Sequence, residues 1–121
     1  MARVAALIPD LLFGSKVKGA LEAAGHEVDL ISGPVEAWDE VGAIEVLVVD
    51  LTTDDVNAVE LVETLATGGE LQGVRTLGFF AHVQPEVRDR ALAAGFDQVV
   101  PRSRMAREGP QLVDRLAAHG P

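Results

Sequence analysis

Hydrophobic positions along this chain fall into short runs that alternate with stretches of helical spacing. Val4 to Ile8 is an unbroken apolar run of strand length. Val17, Ala20, Leu21 and Ala24 then recur at i, i+3, i+4 and i+7, one face of a helix, and Gly25 suits the residue just past its end. Glu27 to Ile31 alternates like a strand with one wetter face, and Gly33-Pro34 marks a turn. Val35 to Gly42 is weakly patterned and reads as a short helix. Glu45 to Leu51 is the clearest strand, near-continuous and rich in valine, as in a strand covered on both faces.

The second half repeats the alternation. Thr53 stands before Asp54 and Asp55, an N-cap followed by first-turn acids, and Ala58, Leu61, Val62 and Leu65 line one helical face. Gly68-Gly69 stops that helix. Val74 to Phe80 predicts a fourth strand. Pro85 opens a helix through Val87, Ala91 and Leu92 that ends at Gly95, and Asp97 to Val100 predicts a short fifth strand. Pro110 fits the first turn of a last helix carrying Leu112, Val113 and Leu116. Five strands alternating with five helical segments, joined by right-handed crossovers, predict one α/β domain over residues 1–121. No linker, repeat or low-complexity segment interrupts it.

Composition narrows the function classes. The chain has 121 residues, 48% of them hydrophobic, enough for one core. Its net charge of −9 disfavours nucleic acid and anionic lipid as partners. The basic cluster Arg102, Arg104 and Arg107 reads as a solvated face near a helix start. Without cysteine there are no disulfides and no thiolate chemistry. The apolar N-terminal run is broken by Pro9-Asp10, too early for a signal peptide or a membrane span. The expectation is a soluble, cytoplasmic protein.

Chemistry concentrates where strands end. Open α/β sheets place their working groups at the carboxyl ends of the strands. That rim should collect Asp10, Asp50, Phe80-Ala81-His82 and Arg102. Two acids and one cation could share a divalent metal through oxygen ligands, or form an ion pair. Asp50 ends the most buried strand and is the foremost candidate. For Asp10 the rival reading is a helix N-terminal acid, since it stands directly before Leu11-Leu12.

At these residues the chain resembles the receiver domain of two-component response regulators. The resemblance rests on Leu47-Val48-Val49-Asp50, on the stretch from Ala81 to Asp97, and on Val99-Val100-Pro101-Arg102, within a layout matching the whole chain. It implies a three-layer, doubly wound, flavodoxin-like parallel sheet of order 2-1-3-4-5. It implies that Asp50 is the phosphoacceptor, Phe80 the position of a hydroxyl, Arg102 that of a lysine, and Val99 that of a switch aromatic. A Mg²⁺ site would use Asp10, Asp50 and the Thr52 backbone carbonyl. Ser103 replaces the proline that usually follows the lysine.

Several of these positions depart from the family's pattern. Pro9-Asp10 keeps one carboxylate of an acidic pair, which weakens a metal site that depends on charge. Phe80 has no hydroxyl, and its ring is expected in the phosphoryl pocket. Arg102 keeps the charge without lysine's compact geometry. Val99 has no ring. A two-state switch needs contacts that differ between its states, and both usual contributors are missing. The expectation is a pseudo-receiver, not an enzyme and without a cofactor. It would act by binding another protein, or a second copy through the face of the fourth helix, fifth strand and fifth helix. The alternatives are a working single-domain regulator phosphorylated on Asp50 with Mg²⁺, and a flavodoxin-like binder of a small ligand or nucleotide.

Other motifs carry less. Gly14-Ser15-Lys16 lacks the upstream glycine of a phosphate loop, because Pro9 occupies that place. His26, His82 and His119 are isolated and expected on the surface or in loops, with His82 at the rim as a pH-sensing candidate. Trp38 is either a packing residue or an interface anchor.

Overall fold

The computed structural model describes residues 2–52, 58–81 and 85–118. Five strands are β1 (Arg3–Leu7), β2 (Glu27–Ile31), β3 (Val46–Asp50), β4 (Arg75–Phe80) and β5 (Gln98–Pro101). Five helices alternate with them: α1 (Leu11–Ala23), α2 (Pro34–Glu40), α3 (Ala58–Thr67), α4 (Pro85–Ala94) and α5 (Arg102–Ala118). The sheet is all parallel, in the order β2-β1-β3-β4-β5. This is the doubly wound arrangement expected from the alternating pattern.

Strand alternation divides the core in two. Val46 and Val48 of β3, with Leu77 and Phe79 of β4, face α1 and α5 and meet Phe13, Val17, Leu21, Met105, Leu112 and Val113. Leu47 and Val49, with Phe80, face α3 and α4 and meet Leu61, Val62, Leu65, Ala91 and Phe96. All five residues of β3 are buried, which explains its unbroken apolar run. Gly78 is closely covered within the sheet. A Cβ there would lie 2.9 Å from Leu51 Cδ1 and 3.0 Å from Phe96 Cε1, so only glycine lets both side chains close over β4.

Local signals worked as their chemistry dictates at most boundaries. Gly25 ends α1 with φ 99°, the left-handed conformation that favours glycine. Helix α3 stops at Thr67, before Gly68-Gly69. Gly33 and Pro34 are not a free turn: Gly33 is the N-cap of α2 and Pro34 opens it. The N-cap expected at Thr53 lies outside the described residues, as do His82 and His119.

One expectation needs correction and another is sharpened. Pro110 does not open the last helix. It lies inside α5, which begins at Arg102. A proline in a helix interior costs about 3 kcal/mol. Yet Met105, Gly109, Leu112, Val113 and Leu116 form one buried stripe on both sides of it. Each large apolar side chain so buried contributes about 1.5–3 kcal/mol, so packing against α1 carries the helix through the proline. His26, expected on the surface or in a loop, lies in the loop between α1 and β2 and is buried there. Its Nδ1 accepts the Ala2 N–H at 3.0 Å, so Nε2 carries the proton and donates to Asp114 Oδ1 at 2.6 Å. The imidazole thereby ties the start of β1 to α5, and both partners are too distant in sequence for any local pattern to show.

Candidate functional site

The parallel register brings the candidate residues to one rim. Leu7 of β1 lies opposite Val49, Asp50 opposite Phe79, and Phe80 opposite Pro101. The chain leaves β1 through Ile8 and Pro9 into Asp10, leaves β3 at Asp50, and turns from Pro101 straight into α5 at Arg102.

Asp10 is fully committed. It is the N-cap of α1, and its Oδ1 accepts the N–H groups of Leu12 at 3.0 Å and Phe13 at 3.2 Å. Its Oδ2 accepts from Arg102 Nη2 at 3.0 Å. The Phe13 amide, then the Arg102 hydrogen bond, hold its carboxyl below the usual aspartate value of 3.8, against a smaller upward push from burial. The Arg102 guanidinium also stacks on the Phe13 ring, 4.1 Å from its centroid, and that ring meets Phe79 at 5.2 Å. Arg102 is therefore half-buried and paired, not part of a solvated basic face.

Asp50 is the opposite case. It is 2% exposed. Its Oδ1 accepts both the N–H of Thr52, at 2.7 Å, and the Thr52 hydroxyl, a local turn closed by the side chain. Its Oδ2 is buried and has no hydrogen-bond partner among the described residues. Buried polar atoms are nearly always paired. A partnerless carboxylate oxygen is thus the most unusual polar atom of this rim.

A magnesium site fits these residues poorly. Asp50 Oδ2 is available as a ligand, but both oxygens of Asp10 are taken by amides and by a cation. Among the described residues no group of three His, Cys, Asp or Glu side chains could hold a metal ion. Thr52 stands beside Asp50 through its N–H and hydroxyl.

The remaining candidates are apolar. Phe80 is 5% exposed, and its ring belongs to the cluster under α3 and α4. By alternation Asp50 shares its face with its register neighbour Phe79, so Phe80 turns away from it rather than filling a pocket beside it. Val99 lies in the same cluster as Phe80. Phe13 is the residue that sequence reasoning missed. Its place three residues after a helix-capping acid was readable, but its contact with an arginine 89 positions later was not.

No family model matches the sequence, and no curated protein is detectably similar to it. Solved structures are similar in shape. The receiver domain of the Francisella response regulator 1452 matches with TM-score 0.85 at 17% identity, covering 98% of each chain. The signal receiver domain of the putative response regulator NarL from Mycobacterium tuberculosis matches with TM-score 0.83 at 20% identity, covering 98% of this chain and 97% of that one. A putative pilus assembly-related protein from Burkholderia pseudomallei matches with TM-score 0.80 at 19% identity, covering 98% and 90%. Among the described residues no helix is long and apolar enough to cross a membrane. At such identities the likeness concerns architecture, and in architecture this chain has the receiver fold of response regulators.

Proposed function

We propose that this domain is a pseudo-receiver: a signalling module that binds a protein partner without conventional phosphorylation switching, is not an enzyme, and needs no cofactor. One observation carries the reading. The cation at the rim is held by Asp10 at 3.0 Å and by the Phe13 ring at 4.1 Å, and it is not hydrogen-bonded to Asp50. A phosphoryl group on Asp50 would have to draw Arg102 out of two favourable contacts. The hydroxyl that would report the event is replaced by the buried Phe80, and the aromatic that would move is replaced by the buried Val99. The face of α4, β5 and α5 is the proposed binding surface, for a partner or for a second copy.

A second reading has its own observation. Asp50 Oδ2 is buried and has no partner among the described residues, as an acid kept for modification would be. Amide chemical shifts recorded while Mg²⁺ and a small phosphodonor are added separate the two. The pseudo-receiver reading expects no change reaching Val99, Arg102 or α4. Shifts that spread from Asp50 into β5 and α4, and vanish in Asp50→Asn, would replace it with the second reading.

A further inference from the structure

Charge is divided very unevenly along this chain. Residues 19–74 hold thirteen Asp and Glu and no Lys or Arg. The remainder holds six acids and all ten bases. The segment that contributes α2 and α3 therefore carries −13, and the rest carries +4. Nothing in the fold requires this, because helix faces normally mix both signs.

The same segment leaves two apolar side chains open. Val35 is 74% exposed and Trp38 42% exposed, both on α2. Between α2 and α3 lies a groove of about 240 Å³, lined by Pro34, Trp38, Glu60, Leu61 and Thr64. An exposed tryptophan in a groove of mixed lining is the kind of anchor on which binding energy concentrates. Glu36, Asp39, Glu60 and Glu63 are exposed on the two helices.

We infer that the α2–α3 groove docks a cationic amphipathic helix of a partner protein, with an apolar side chain seated against Trp38 and lysines or arginines facing the acids. Charge selects the occupant. A second copy would bring two chains of net −9 together, and an acidic partner would meet a surface without a single cation. A basic helix is drawn in by the acids that flank the groove, Glu36, Asp39, Glu60 and Glu63, and its apolar face can pack on Trp38. The surface is separate from the α4–β5–α5 face. The inference therefore stands whatever happens at Asp50.

The full chain supplies its own reporter, because Trp38 is its only tryptophan and it has no tyrosine. The probe is a synthetic amphipathic helical peptide of leucine and lysine, titrated while Trp38 emission is recorded. The expected result is a saturable blue shift. Affinity should fall about tenfold as salt rises from about 0.05 to about 0.5 M. Asp39→Lys with Glu63→Lys should weaken binding about tenfold or more, whereas Glu22→Lys with Glu70→Lys, the same charge change elsewhere, should leave it within about twofold. Trp38→Ala and Val35→Ser, followed with a dye-labelled peptide and checked for folding by circular dichroism, should each weaken it, the tryptophan variant more. The inference is overturned by equal binding of a leucine and glutamate peptide, or by equal loss from the two charge reversals. It is also overturned by a blue shift that grows with protein concentration alone, which would make a second copy the occupant, or by no response.

Discussion

Two aspartates at one rim have opposite fates. Asp10 is half-exposed and has every oxygen engaged, by two amides and a guanidinium. Asp50 is buried and keeps one oxygen without a partner among the described residues. Ordinary folding stability favours the reverse, because an unpaired polar atom costs least in water and most in the interior. The first acid thus works as structure: it starts α1 and fixes Arg102 at the head of α5. The second serves the fold through one oxygen only, which closes the turn at Thr52. The cation of the rim pairs with Asp10 and not with Asp50, and on the proposed pseudo-receiver reading that pairing is what keeps the rim from answering phosphorylation.

The largest expected effect tests the apolar side of this rim. Phe80→Thr restores a hydroxyl at the end of β4 and should cost about 3 kcal/mol in urea unfolding, the loss of a buried aromatic ring. A near-neutral change would mean that Phe80 is not core and that the position is free for chemistry.

Next comes the acid itself. Asp50→Asn keeps an oxygen for Thr52 and removes a buried charge, so the variant should be more stable at neutral pH by about 1 kcal/mol. Destabilisation would mean that the carboxylate has a structural partner after all, and the contrast with Asp10 would dissolve.

Asp10→Ala should destabilise, with a pH signature. A carboxyl whose folded pKa is lowered contributes stability that is complete above its ordinary value of 3.8 and is lost as pH falls further, through the folded value. Wild type and variant should therefore differ at neutral pH and converge well below 3.8. A difference that persists unchanged through that window would show that the charge of Asp10 adds nothing to the cap or to the Arg102 pair.

The smallest effect extends the comparison to Glu40, at the end of α2, which also has a buried oxygen without a partner among the described residues. Burial, then the neighbouring Asp29, raise its carboxyl above 4.5. The sign is opposite to that of Asp10: the folded state takes up the proton first, so wild-type stability gains as pH falls from the raised value toward 4.5. Glu40→Gln should be more stable at neutral pH, by about 0.5 kcal/mol, with the advantage fading in that window. A loss at neutral pH would assign Glu40 a favourable partner.

Much of the fold was legible because its signals are local. The valine run of β3, the helical spacing at Ala58, Leu61, Val62 and Leu65, and the glycine at position 25 are each decided within a few residues. Pro110 misled because local propensity was outweighed by a stripe that buries against α1, a tertiary effect. The site was legible as a roster but not as a wiring diagram. Asp10, Asp50 and Arg102 could be brought to one rim by topology. That Arg102 reaches Asp10 across 92 positions, and rests on Phe13 on the way, depends on side-chain directions that no spacing encodes. The burial of His26 escaped for the same reason.

The most direct measurement is the intact mass of the protein after incubation with Mg²⁺ and a small phosphodonor, run beside Asp50→Asn. The proposed pseudo-receiver reading predicts one unmodified mass for both proteins. A stable phosphoryl adduct on the wild type, absent from the variant, would contradict it.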